Sequence, residues 1–171
     1  MPRFMLLLHG DADTETEQMP PKEVLDQMHA YNRTLTTAGI LLDADGLHAT
    51  SAGARVYFPA PPASNVNAPG PKDLIEVTKG PFKYPALPSS TQTRDHSIKF
   101  EGQRPVCGWW IIKVKDVDEA VEVAKKAPLA GCYVEVRRIA EGEDFPEELG
   151  MIDEENGWRK ELAKKKVEEG K

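Results

Sequence analysis

Two residues with acid–base side chains, His9 and Asp11, follow the first apolar segment of the chain. Residues 3–9 form a nearly continuous apolar run that predicts a strand inside a sheet, and residues 10–13 predict a turn. An imidazole at a strand end can act as a general base, and a carboxylate two residues away can orient its tautomer. We therefore expect His9 and Asp11 to be catalytic. The alternative is that His9 bonds a backbone carbonyl and Asp11 only forms the turn.

A second histidine, His29, lies within a segment that predicts an amphipathic helix. Pro20-Pro21 suits a helix start and Gly39 suits a helix end. Between them, apolar residues recur at helical spacing: Val24, Met28, Tyr31, Leu35 and Ala38. His29 lies beside this stripe, so we expect it at the rim of a cleft as a third catalytic residue, with a solvated histidine as the alternative. Tyr31 lies within the stripe and is expected to contact the substrate, although core packing would place it there too.

Two adjacent tryptophans, Trp109 and Trp110, lie in the run 106–114, which predicts an aromatic strand. Side chains alternate across a strand, so the two rings are expected on opposite faces of the sheet. We expect them to bind a flat, apolar substrate, with core and interface packing as the alternative. Arg137, on a strand predicted at 130–139, is expected to bind an acidic group of the substrate or to pair with Glu135.

The composition limits the partners of the protein. Lys and Arg number 22 against 28 Asp and Glu, and the net charge of −6 argues against binding to nucleic acid or an anionic membrane. No apolar run reaches the roughly 20 residues that span a bilayer. We therefore expect a cytoplasmic protein whose partner is a small-molecule substrate or ligand, with no nucleic-acid and no membrane partner.

The sequence contains no motif for a cofactor. The four histidines lack metal-site spacing, and neither a glycine-rich phosphate loop nor a serine or cysteine nucleophile motif occurs. We expect no cofactor and no dedicated metal site, with His9 and Asp11 as the one pair that could contribute to such a site. Cys107 and Cys132 lie in apolar runs and are expected to be buried, reduced thiols.

The order of the predicted elements indicates an α+β fold. Four strands, two helices and a hairpin between the second and third strands are predicted: strands at 3–9, 40–42, 106–114 and 130–139, helices at 22–38 and 116–126, and hairpin arms at 55–58 and 74–77. This order indicates a ferredoxin-like arrangement, an antiparallel sheet with both helices on one face. An extra C-terminal helix is predicted at 154–171.

Two polar, irregular intervals interrupt this pattern, at 59–72 and at 83–105. Within the second interval, Ser97 to Phe100 could add a short strand. Asp95-His96 is expected to be a loop pair, unless the interval folds over the cleft as a lid. We expect one domain at 1–142 with these two insertions, followed by a C-terminal extension at 143–171.

Six segments occur in an order that is similar to a known family: the turn at 5–11, Thr37-Ala38-Gly39, Asp45-Gly46-Leu47, Thr78-Lys79-Gly80-Pro81-Phe82, Gly108-Trp109-Trp110-Ile111-Ile112 and Glu135-Val136-Arg137. Together they resemble the YCII-related family, in its DGPF-motif branch, over most of residues 3–140. The resemblance implies a dimeric α/β barrel, in which two ferredoxin-like sheets pack face to face, and hence a homodimer. One tryptophan exposed on a sheet face supports this, because a partner sheet would cover it.

Two departures from the family pattern bear on function. Lys79 stands where the motif has aspartate, and Met28 stands where the family helix carries a histidine. The resemblance implies a cofactor-free enzyme for proton-transfer chemistry, such as an isomerase, a dehydratase or other lyase, or a decarboxylase, acting on an apolar, aromatic or polyketide-like substrate in a cleft. The departures favour the alternative, a non-catalytic dimeric module that binds a small ligand or a protein. The sequence leaves both open.

Overall fold

The computed structural model describes residues 1–61, 65, 67–84 and 104–146, with five helical residues of the C-terminal extension: Gly157, Trp158, Glu161, Lys164 and Lys165. The strands and helices are β1 (Arg3–His9), α1 (Lys22–Thr37), β2 (Leu41–Gly46), β3 (Ala54–Tyr57), β4 (Glu76–Lys79), β5 (Val106–Lys113), α2 (Val117–Ala124) and β6 (Tyr133–Arg138). Each predicted core element has a counterpart among them. The strand predicted at 97–100 and the Asp95-His96 pair lie outside the described residues.

β1 lies inside an antiparallel sheet with the strand order β2-β5-β1-β6. Leu7 of β1 pairs with Trp109 of β5 on one side and with Glu135 of β6 on the other. β3 and β4 pair separately as a hairpin. The structure therefore confirms an α+β fold with a four-stranded antiparallel sheet and two helices. Its strand order is compatible with the predicted ferredoxin-like arrangement.

One face of the sheet packs against both helices. The core on this face contains residues from two strands, both helices and the residue after β5: Phe4, Leu6, Tyr31, Leu35, Trp110, Ile112, Val114, Ala120 and Val123. Because side chains alternate along a strand, Phe4 and Leu6 reach this core, whereas Met5 and Leu7 point to the opposite face. Leu6 is only 1% exposed. Burying a leucine contributes about 1.5–3 kcal/mol, so this layer is a main source of stability.

The buried faces of the helices differ in part from the predicted stripes. Val24 and Ala38 were predicted to face the core, but both are exposed, and so is Val117 at the start of α2. They lie at the ends of their helices, whereas the buried residues lie nearer the middle. On α2, Ala120 and Val123 are buried together because residues three apart share a helix face. Among the described residues, neither helix is long and apolar enough to span a bilayer.

The face of the sheet opposite the helices is called the open face here. Its half-buried side chains from β1 and β5 include Met5, Leu7, His9, Trp109 and Ile111. Trp110 instead lies in the helix-side core and is 5% exposed. The prediction that the two tryptophans point to opposite faces is therefore confirmed. The open face presents an apolar centre that remains partly exposed.

The turn at 80–82 packs closely against Thr50, which lies between β2 and β3. The Phe82 backbone N–H donates to the Thr50 hydroxyl at 3.0 Å, and that hydroxyl in turn donates to the Glu15 carboxylate. A side chain at Gly80 would overlap the backbone carbonyl of Thr50, so this position requires glycine. One threonine therefore joins three segments that are distant in the sequence.

Candidate functional site

His9 lies at the end of β1 on the open face, with its side chain 12% exposed. Its Nε2 atom lies 3.4 Å from the Glu135 carboxylate, and its Nδ1 atom lies 3.4 Å from the Arg104 carbonyl oxygen. The imidazole stacks on the Tyr133 ring, with centroids 4.5 Å apart and planes 12° apart. Glu135 and Tyr133 are neighbours of His9 because β6 pairs with β1. The carboxylate that contacts the imidazole is therefore supplied by another strand.

The structure does not bring the Asp11 carboxylate to the imidazole of His9. Asp11 is 5% exposed, and its carboxylate accepts the backbone N–H groups of Asp13 at 3.0 Å and Thr14 at 3.3 Å. These bonds form a local turn that leads into the short 3-10 helix Asp13–Glu15. No contact supports the expected role of Asp11 in orienting the His9 imidazole. Asp11 instead forms the turn, which is the alternative given in the sequence analysis.

Arg104 joins the end of β1 to the loop before β6. It is 6% exposed and donates from Nη1 to the carbonyl oxygens of Gly10 at 3.3 Å and Gly131 at 3.1 Å. Its guanidinium also lies 5.7 Å from the centre of the Tyr133 ring. Sequence reasoning missed Arg104 because it lies in an irregular interval without periodicity. Its contacts hold Tyr133, and through Tyr133 the imidazole of His9.

His29, Tyr31 and Trp110 do not join His9. His29 is exposed on α1, where its Nε2 atom accepts a hydrogen bond from Arg33 at 3.0 Å. The Tyr31 hydroxyl donates to the Val123 carbonyl oxygen at 3.0 Å, and burial raises the pKa of Tyr31 to about 12. The Tyr31 ring meets Trp110 edge to face, with centroids 5.9 Å apart. Tyr31 and Trp110 are therefore core residues, on the helix side of the sheet.

Trp109 and Arg137 share the open face with His9. The Arg137 Nε atom lies 3.8 Å from a Glu135 carboxylate oxygen, so the predicted pairing of these two residues is present. His9, Glu135 and Arg137 consequently form a short row of charged and polar groups along β6. Both Glu135 and Arg137 are largely exposed, so solvent weakens their interaction.

A cleft of about 240 Å³ lies between α1, the end of β2 and the start of β5, and it is called the α1 cleft here. Its lining includes Met28, Asn32, Asp45 and Cys107, together with two glycines that pair across the strands, Gly46 and Gly108. The two facing glycines leave this part of the cleft without side chains. This volume lies just below the roughly 300–1,000 Å³ of typical ligand pockets. The cleft can therefore hold only a small molecule.

The polar side chains of the α1 cleft are few. The Asn32 side-chain oxygen accepts the Trp110 indole N–H at 2.8 Å, which fixes the orientation of the amide. Burial, and to a lesser extent Cys132 and Asp11, raise the pKa of Cys107 to about 11, so its thiol is protonated near neutral pH. Among the described lining residues, Asp45 and Cys107 are the ionisable ones. The α1 cleft therefore contains a carboxylate and a thiol, and not the histidine base that the sequence predicted.

Cys107 and Cys132 are free thiols on opposite sides of β1. Two strand spacings separate residues flanking a central strand by about 9.5 Å, and a disulfide needs Cα atoms within about 7 Å.

Among the described residues, no group of three His, Cys, Asp or Glu side chains could hold a metal ion.

A comparison with models of known protein families finds no model that matches this chain, and a search of curated proteins finds no match either. What the site can do is therefore inferred from its geometry.

The raised pKa of Cys107 predicts slow reaction with thiol reagents. A shift from 9.0 to about 11 lowers the thiolate fraction near neutral pH about 100-fold, and the thiolate is the reactive form. In a Cys132→Ala variant, we expect the alkylation rate of Cys107 to rise about tenfold per pH unit between pH 7 and 10. Mass spectrometry of iodoacetamide-treated protein measures this rate. The same variant in denaturant is the control, and a plateau of the native rate near pH 9 would contradict the expectation.

Proposed function

We propose that this protein binds a small molecule with both polar and apolar groups in the α1 cleft and functions as a ligand-binding module. The observation that carries this proposal is the space left by Gly46 and Gly108, which pair with each other across β2 and β5. The lining combines apolar side chains, which include Met28, with polar groups, which include Asn32 and Asp45, so both parts of such a ligand would find partners.

The chemistry of the α1 cleft supports binding better than catalysis. Met28 lies in the cleft at the position where the YCII-related resemblance implies a catalytic histidine. A thioether neither takes up nor releases a proton, and the Cys107 thiol stays protonated because burial raises its pKa to about 11. Asp45 alone could act as a base, and a carboxylate is weakly basic unless its environment changes.

We also propose that the protein is a homodimer that packs through the open face, as the resemblance to the DGPF-motif branch implies. Met5, Leu7, Trp109 and Ile111 give this face an apolar centre, and all four are only half-buried in the single chain. Exposed charged residues, including Arg137, lie around them. An apolar centre with a polar rim is the usual anatomy of a protein interface. A second sheet packed here would complete the dimeric α/β barrel.

A proton-transfer enzyme is the second candidate function. It is favoured by the contact of 3.4 Å between the His9 Nε2 atom and the Glu135 carboxylate, because a carboxylate can stabilise a protonated imidazole. This pair lies on the face that a partner sheet would enclose. Against this role, Nε2 is buried, so a substrate would reach it only after Glu135 or Tyr133 moves.

Filling the α1 cleft should abolish ligand binding. A Cβ atom added at Gly46 has no neighbour closer than 4.0 Å, so Gly46→Leu can occupy the cleft without a backbone clash. We expect aromatic fragments that raise the melting temperature of the wild type to bind Gly46→Leu at least about tenfold more weakly, a loss of about 1.4 kcal/mol. Gly53→Leu, outside the cleft, is the matched control. Equal binding to both variants would place the ligand elsewhere.

A charge on the open face should separate the homodimer. Leu7→Glu would bury an unpaired carboxylate between the sheets, which costs several kcal/mol. We expect the dissociation constant of the dimer to increase at least about 100-fold, as measured by analytical ultracentrifugation. Leu74→Glu changes an equally apolar but 59% exposed residue and should leave the dimer intact. A wild-type protein that sediments as a monomer at micromolar concentration would contradict the proposed dimer.

Prolonged incubation with a bound fragment separates the two candidate functions. For a binding module, we expect no product by mass spectrometry. If product forms through His9, then His9→Gln and Glu135→Gln should each lower kcat by about 10²–10⁴-fold. Product formation that neither substitution changes would exclude this pair as the catalytic group.

A further inference from the structure

A second cavity lies between α1 and the end of α2, and it is called the helix groove here. Its volume is about 400 Å³, which is larger than the α1 cleft and within the range of typical ligand pockets. The groove follows α1 from Gln27 to Ala38, a length of about 16 Å at 1.5 Å per residue. Its floor consists of three core residues: Tyr31, Leu35 and Val123. The groove can therefore hold an elongated molecule directly above the core.

The middle of the helix groove presents an apolar surface. The Tyr31 hydroxyl donates to the Val123 carbonyl oxygen at 3.0 Å, and the Thr34 hydroxyl donates to the Ala30 carbonyl oxygen at 3.0 Å. Both hydroxyl protons are therefore engaged within the fold. Ala30 and Ala38 lie one helical turn on either side of Thr34, so methyl groups form much of this wall. A ligand in the middle of the groove would gain mainly apolar contacts.

Lys126 is the one charged side chain among the described residues that line the helix groove. Its neighbour Lys125 forms an ion pair with Glu122 at 2.5 Å, whereas Lys126 forms none with any described carboxylate. The hydrogen bond from Lys125 is the main cause that lowers the pKa of Glu122, and the attraction of Lys126 contributes least. The positive charge of Lys126 is therefore available to a ligand.

We propose that the helix groove binds a small apolar carboxylic acid. Its chain or ring lies over Tyr31, Leu35 and Val123, and its carboxylate pairs with the Lys126 amine. An uncharged molecule of the same shape would gain only the apolar contacts, and an ammonium group would meet a like charge. The helix groove and the α1 cleft share no lining residue, so this site does not depend on the function proposed for the α1 cleft.

Three ligands of one shape test the preference for an acid: octanoate, octanol and octylamine. Isothermal titration calorimetry of the full chain measures their affinities. We expect octanoate to bind about threefold more tightly than octanol, the ratio that an exposed ion pair supplies, and octylamine to bind more weakly than either. Lys126→Gln should remove the preference for octanoate. Lys125→Gln removes the neighbouring cation and should preserve it.

A second pair of variants tests the location of the site. Ala30→Leu fills the helix groove and should weaken the binding of octanoate and octanol at least about tenfold. Thr36→Leu, at an exposed α1 position outside the groove lining, is the matched control and should leave both affinities unchanged. Both positions are exposed and leucine is a good helix former, so both variants should keep the melting temperature of the wild type. Gly46→Leu, in the α1 cleft, should also leave octanoate binding unchanged.

Three results would overturn this site. Equal affinities of the wild type for octanoate and octanol would exclude a preference for an acid. Octanoate binding that Lys126→Gln leaves unchanged would exclude the ion pair. Octanoate binding that Gly46→Leu abolishes and Ala30→Leu preserves would assign the acid to the α1 cleft and leave the helix groove without a ligand.

Discussion

The position of β1, paired on both of its sides, determines how the other residues of the sheet are arranged. Its backbone pairs with β5 and β6, so a change of register would have to break both pairings at once. Because side chains alternate along each strand, the register also decides which residues face the helices. Leu6 and Trp110 meet in the core, whereas Leu7 and Trp109 meet on the open face. A slip by one residue would exchange the two tryptophans between these environments.

The end of β1 is fixed differently, because the register with β5 shifts between Leu8 and His9. At this end, the side chain of Arg104 adds to the hydrogen bonds between the strands. It donates to backbone carbonyl oxygens of two loops. A buried cation without hydrogen-bond acceptors would destabilise the fold by several kcal/mol. The two loops are therefore held where their carbonyl oxygens can accept hydrogen bonds from Arg104. The stack of Arg104, Tyr133 and His9 then follows from the same anchor. The orientation of His9 thus depends on residues from three separate segments.

The sequence predicted the elements of the fold well, because their signals are local. The apolar run of β1 appears where expected, and α2 begins next to the predicted residue 116, where the Asp116 carboxylate accepts the Glu119 N–H at 3.0 Å. The partner of His9 could not be predicted in this way. Asp11 is close in sequence but caps a turn, whereas Glu135 becomes a neighbour only through the pairing of β6 with β1. Cavities could not be predicted for the same reason. Which residue faces a glycine across the sheet is known only when the register of the strands is known.

The hydrogen bond between Asn32 and Trp110 gives the α1 cleft a selectivity of its own. The Asn32 oxygen faces a binding space but is already the acceptor for an indole N–H in the core. An amide oxygen has two lone pairs, so a ligand donor can bind along the free one, but a donor that displaced the indole would leave the Trp110 N–H unsatisfied. An unsatisfied buried donor costs about 1–3 kcal/mol, which corresponds to roughly a 5- to 150-fold loss of affinity. Asn32 and Trp110 thereby discriminate against ligands whose donor can reach this oxygen only by displacing the indole.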